Sequence, residues 1–282
     1  MLEWLVDQFS LQFVSNFLLA AFFLSLALAP LSIFVIQRRL SLAGEALAHG
    51  TLPGVWLAFI FYGLSPLALT LGGYGAALTL VALGAALSWR SLFRSDALLG
   101  GLYITFFSVG GILVSSNSTA INLQEFLVGT SLGVDTDMIT LSLVVTLISL
   151  VIMGLIYRPL ALQTQDPAFF ISLYPHGWWV TQGFMAVFVL VLITAVNAFG
   201  TLMAIALAIL PALAARCWIN WVPGIMALSF LYSFIACVGG LLISLLVDFA
   251  PTGPTIVLVS AGIWGLSYLC APYGLRQSLH HS

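Results

Sequence analysis

Long apolar runs broken by short polar interruptions make up nearly the whole chain, and the interruptions, not any amphipathic period, mark where its elements end. A run of about 20 apolar residues is the length of a membrane-crossing helix. The pattern predicts helices over about 13–36, 42–62, 66–88, 97–115 and 138–157, then over about 179–197, 200–215, 222–247 and 254–272. Between these two groups, residues 163–177 form a more polar interval containing Pro167, Pro175, His176 and Gly177. The fold class expected is all-α: a polytopic transmembrane helical bundle of about nine helices, one domain over residues 1–282. The break at Asn197–Gly200 leaves an eight-helix path open, with two half-helices sharing one crossing.

Composition agrees with the pattern. Of 282 residues, 62% are hydrophobic and 6% charged, with mean hydropathy +1.16, whereas a soluble domain carries about 25% charged residues. The net charge of −2 leaves no basic stripe for nucleic acid. The chain has no lysine, which excludes a GxxxxGK[ST] phosphate loop, so any ATP must be bound by another subunit. Cys217, Cys237 and Cys270 are widely spaced and read as small hydrophobes rather than a disulfide framework. The N-terminus carries Glu3 and Asp7 and no positive region, so the first helix is expected to remain in the mature protein.

The arginines orient the path. On a nine-helix path with the N-terminus outside, Arg38, Arg39, Arg90, Arg94, Arg158, Arg216 and Arg276 all fall on the cytoplasmic side. Glu3, Asp7, Glu125, Asp135, Asp137 and Asp248 fall opposite. Trp4, Trp89, Trp178, Trp179, Trp218 and Trp221 sit at span ends, as interfacial anchors should. Glycines at 72, 73, 75, 84, 100, 101, 110 and 111 are expected to bring helices close together.

One carboxylate and one imidazole break the rule that charge stays at span ends. Glu45 and His49 lie four residues apart inside the 42–62 run and share a helical face. An ionisable group in hydrocarbon costs several kcal/mol by insertion scales and marks a functional site by default. From Arg39 to Glu45 is about 9 Å of helix, and His49 lies about 6 Å further toward mid-membrane. Pro53 and Gly54, one turn on, can open the helix and free backbone carbonyls. By residue type alone the pair is a structural Glu–His hydrogen bond, a proton relay or a cation site; oxygen plus nitrogen ligation suits Mn, Fe or Zn. Two ligands are too few for such an ion, and a second copy of the same face across a two-fold axis would supply the others.

At these residues the chain resembles a known family. Arg38–Gly54 resembles the R-R-x-S-x-x-G-[DE]-x-x-x-H-x-x-L-x-G signature of the bacterial zinc/manganese/iron ABC-transporter permeases. Asp96–Gly100 resembles the family's D-x-L-L-G helix opening, Phe199–Arg216 its small-residue helix ending in P-A-A-x-A-R form, and Pro251–Leu258 its P-[TA]-G-P-[ST]-I-V-L stretch. The resemblance implies a non-catalytic membrane subunit that carries a divalent metal (Zn, Mn or Fe) inward across the bacterial inner membrane and holds no permanent cofactor. Its implied partners are a cytoplasmic ABC ATPase dimer, a second permease subunit (identical or a paralogue), an extracytoplasmic metal-binding protein and membrane lipid. By resemblance, Glu45 and His49 occupy the family's intramembrane metal-pathway positions; Glu45 replaces the commoner Asp, which keeps the charge and shifts the oxygens by a methylene.

The 163–177 interval resembles the short cytoplasmic coupling helix that fits the ATPase, and its residues suit a short helix on physical grounds too. Asp166 can cap the start, Pro167 suits the first turn, and Pro175–Gly177 can end it. Ala168, Phe169 and Leu173 are expected to form the apolar face offered to a partner's groove. The family pattern here is D-P-E-x-A-x-x-x-G; this version is more aromatic and adds Pro175. His176 reads as a loop residue, and His280 and His281 as tail residues. Two competing readings are a proton-coupled secondary transporter using Glu45 and His49, and an intramembrane metalloenzyme. The first predicts internal repeats, of which none is convincing; the second needs an HExxH-type site, and Glu45-x-x-x-His49 lacks the first histidine.

Overall fold

A backbone crossing lipid must satisfy its own hydrogen bonds, and the Leu-, Ala-, Val- and Phe-rich runs do so as helices. The computed structural model describes residues 12–63, 65–88, 95–116, 134–175, 177–247 and 250–273. In order the helices are α1 (Gln12–Gln37), α2 (Ser41–Gly50), α3 (Leu52–Tyr62), α4 (Pro66–Ser88), α5 (Ser95–Ser116), α6 (Thr136–Gln165), α7 (Pro167–Leu173), α8 (Trp178–Phe199), α9 (Thr201–Trp218), α10 (Val222–Leu246) and α11 (Thr252–Cys270). No strand occurs among the described residues. By length and composition, seven helices can cross a membrane: α1, α4, α6, α8, α9, α10 and α11; the apolar part of α5, Gly100–Ser115, is shorter.

Three helices form the centre. Of the apolar window of α1, 67% is buried, and 61% for α8 and α9, against 28% for α4 and α11. Around α1 pack α6, α8, α9 and α10, while α11 closes against α9 and α10. On the other flank α2 and α3 pack against α5 and α4, and α8 joins that flank to the centre. Phe17, Phe34, Phe184, Phe188 and Phe199 fill the middle. Hydroxyls inside the bundle, that of Ser149 apart, bond locally or to a neighbouring helix. Thr146 donates to the Ser142 carbonyl at 2.7 Å and lies 2.9 Å from that of Phe23, while Ser233 donates to the Ser25 hydroxyl at 2.9 Å.

Two boundaries differ from those expected, and a third falls where the pattern placed it. The 42–62 run is two helices, α2 and α3, meeting at Thr51. Pro53 has no N–H for the carbonyl of His49, and the Gly54 N–H turns instead to the Thr51 carbonyl at 3.0 Å. The fifth helix does not end near 157: α6 continues through Arg158 and Pro159 to Gln165, so part of the 163–177 interval is helical. At Asn197–Gly200 the chain does break. Gly200, at φ 87°, takes a backbone conformation that L side chains rarely adopt, and α9 starts at the next residue.

The glycines divide into two kinds. A Cβ on Gly54 would sit 2.2 Å from the Gly72 carbonyl oxygen, and one on Gly72 would sit 2.4 Å from that of Gly54, so α3 and α4 touch backbone to backbone there. Gly73 and Gly110 are also crowded by neighbouring helices, whereas Gly75, Gly100, Gly101 and Gly111 face open space and hold no helices together. Trp178, Trp179, Trp218 and Trp221 are exposed at helix ends. His176, His280 and His281 lie outside the described residues, as do Trp4, Trp89, Arg90, Arg94, Glu125, Asp248 and Arg276.

Candidate functional site

α2 has one face of small and apolar residues and one polar face. Gly44, Ala46, Leu47, Ala48 and Gly50 are buried. A Cβ on Gly44 would meet the Phe188 ring of α8 at 3.4 Å, and one on Gly50 would meet Leu80 of α4 at 2.5 Å, so this side lies against the bundle. Glu45 points away from it and is exposed on the single chain. His49, one turn on, is half-buried. Its ring meets Phe107 of α5 edge to face, centroids 5.6 Å apart.

Among the described residues no side-chain hydrogen bond ties Glu45 or His49 to another helix. Among the described residues the Nδ1 of His49 is buried without a hydrogen-bond partner. A buried ring nitrogen left free is costly unless something else fills it. No group of three or more His, Cys, Asp or Glu residues that could hold a metal ion occurs among the described residues. One chain therefore offers an ion one carboxylate and one imidazole, fewer ligands than a divalent transition metal takes.

Beyond His49 the outer surface becomes apolar. A groove of about 880 Å³ runs along α3 and α4, lined by Pro53, Leu57, Phe61, Leu67, Thr79 and Phe106 among others. Gly54 sits at its floor, where α3 and α4 touch, and Pro53 stands at the helix start after the Thr51 break.

The 163–177 interval is built around α7. The Asp166 side chain accepts the Phe169 N–H at 2.9 Å and caps the helix, with Pro167 in the first turn. Ala168, Phe169 and Leu173 are exposed, Phe169 by 52%. Phe170, which the sequence did not single out, is the residue that anchors α7: it is 3% exposed, and its ring lies 5.3 Å from that of Tyr174. Gly177 makes room for it, since a Cβ there would come within 2.4 Å of the Phe170 ring. A residue-type pattern could not reveal this, because Phe169 and Phe170 are chemically identical until the helix docks.

Comparison with known proteins now adds to the geometry. Residues 10–271 match the model of the ABC 3 transport family. The chain belongs to that family. It is 29% identical over 260 residues to the manganese import system permease protein ScaB of Streptococcus parasanguinis, covering 92% of this chain and 91% of that one. It is 26% identical to the chelated iron transport system membrane protein YfeD of Yersinia pestis, covering 90% and 84%. Among solved structures, PsaBC from Streptococcus pneumoniae in complex with Fab superposes with a TM-score of 0.88 at 25% identity, over 99% of this chain and 100% of that one. The family suggested by the four motifs is thereby borne out, and the chain is a multi-pass, non-catalytic membrane component of a transport system.

Proposed function

We propose that this chain is the membrane-spanning permease subunit of a bacterial ABC importer for manganese or iron, driven by ATP hydrolysis in partner subunits. The observation that carries the reading is an acid and an imidazole on the outer face of α2, within a chain that matches a transport family from residue 10 to 271. Similar proteins are named for manganese and for chelated iron, which favours those ions; zinc rests on the motif resemblance alone. The family match does not favour the proton-coupled secondary transporter.

In this reading Glu45 and His49 are the ion's ligands, and the same pair on a second permease copy completes the shell across a two-fold axis. The exposure of Glu45 on the single chain and the free Nδ1 of His49 support that completion. Two carboxylates and two imidazoles replace part of the ion's hydration, and the site must bind weakly enough in one state to release it. The polypeptide forms one domain of nine crossings, α2 and α3 together making one and α5 another, with the N-terminus outside and the C-terminus in the cytoplasm. An ion arrives from an extracytoplasmic binding protein, and α7 rests in the ATPase through exposed Ala168, Phe169 and Leu173.

The test is uptake of manganese and of ferrous iron by the assembled transporter in proteoliposomes. Glu45→Gln and His49→Ala are each expected to abolish uptake while leaving assembly with the ATPase intact. Normal uptake by both variants would overturn the site.

A further inference from the structure

One guanidinium joins the two flanks of α7 to the start of the Glu45/His49 helix. Arg38 follows α1, and its side chain turns back into the protein. Its Nη2 donates to the Oε1 of Gln163, in the last turn of α6, and its Nη1 reaches the Thr181 hydroxyl at 3.5 Å. The Gln163 amide donates to the same hydroxyl at 3.0 Å. Gln163 lies at the end of α6, the helix before α7, and Thr181 in the first turn of α8, the helix after it. The guanidinium carbon also lies 5.4 Å over the ring of Phe184, which is fully buried.

On its other side, Arg38 passes into α2 with little slack. Arg39 adopts φ 57°, and the turn is closed by Leu40 N–H to the Val35 carbonyl at 2.8 Å and Arg39 N–H to that of Ile36 at 3.0 Å. This is the Schellman closure, made here by a non-glycine residue in a conformation usually left to glycine. The Gly44 N–H then bonds the Leu40 carbonyl at 3.0 Å, so α2 starts directly from the turn. Glu45 follows about 6 Å along the helix from Ser41, at 1.5 Å per residue.

Among the described residues the groups that Arg38 bonds are neutral, an amide and a hydroxyl. Burial pushes the guanidinium below its ordinary pKa. A half-buried charge without a carboxylate is a poor choice for stability alone, because a packed apolar side chain would avoid its desolvation. It does, however, register the relative position of three elements, since its planar fork bonds only when Gln163 and Thr181 are both in place.

We propose that Arg38 is a positioning residue that couples α7 to the ion site: displacement of α7 by the ATPase shifts Gln163 and Thr181, and Arg38 carries that shift through the closed turn into α2. The inference rests on the permease reading and says which residue of the chain transmits the stroke.

The experiment measures manganese uptake and ATP hydrolysis in the same proteoliposomes, with the complete transporter and its binding protein. Arg38→Gln and Gln163→Leu are each expected to lower the manganese moved per ATP by about 5-fold or more, the lower end of ordinary site-to-site coupling. ATP hydrolysis should fall far less than uptake. The exchanged pair, Arg38→Gln with Gln163→Arg, restores the same hydrogen bond from the other side and should recover most of the ratio, which a loss of folding would not. Should Arg38→Gln fail to assemble, Arg38→Lys, which keeps the charge and loses the fork, is read the same way. A wild-type ratio in the single variants, or an exchanged pair no better than either, overturns the inference. Wild-type vesicles that move neither manganese nor ferrous iron refute the permease reading instead.

Discussion

At the scale of single residues, an absent side chain carries as much information as the polar pair. Gly54 and Gly72 each lack the Cβ that would strike the other's carbonyl oxygen, so α3 and α4 cannot stay in contact if either grows. Gly54→Ala and Gly72→Ala should each destabilise the purified protein by about 1–3 kcal/mol, the usual cost of overpacking. Gly75→Ala, in the same helix but facing open space, should change little and removes a helix-weakening glycine. Denaturation midpoints in one detergent would check all three; equal loss in the three variants would refute the contact argument. In the sequence these glycines looked alike. Spacing cannot tell which of them meets a neighbour's backbone, because that depends on how α4 is rotated about its axis. Glu45 and His49 were legible because an ionisable residue in an apolar run is rare, but the free Nδ1 and the Phe107 ring beside it were not.

Among the elements, α7 shows how far local signals reach. Its start was readable from Asp166 and Pro167, since capping and a fixed φ act within a few residues. Replacing the cap by Asp166→Ala should weaken α7 by about 0.5–2 kcal/mol, whereas Asp166→Asn, which caps as well, should not. Hydrogen exchange of the 168–173 amides in nanodiscs would rise by a factor of about 2 to about 30 in the first variant only. Unchanged exchange in Asp166→Ala would show that Phe170, lodged between Gly177 and Tyr174, holds the segment without its cap. The split of the 42–62 run was half legible. Pro53 announced a break, yet the break falls at Thr51, because the bond that proline cannot make belongs to the preceding turn.

For the whole molecule, the proposed path with nine crossings makes a prediction that hydropathy and charge share. In a variant with Cys217, Cys237 and Cys270 replaced, single cysteines at Asp7 and Asp135 should react with a membrane-impermeant thiol reagent from outside intact cells. Cysteines at Arg94 and Gln277 should react only after the membrane is opened. Labelling of both latter sites from outside would reverse the orientation and, with it, the side on which α7 meets its ATPase.

The residues in order were enough to settle the class of the protein: helices in a membrane, no ATP loop, an acid and an imidazole on one helical face, and four motifs of one family. These are properties of composition, spacing and single turns, and they do not depend on how helices meet. Docking decided the rest. That Arg38 closes on Gln163 and Thr181, that Phe170 rather than Phe169 anchors α7, and that Gly54 meets Gly72 depend on residues far apart in the chain. In an almost uniformly apolar chain, little distinguishes one helix face from another until close packing selects it.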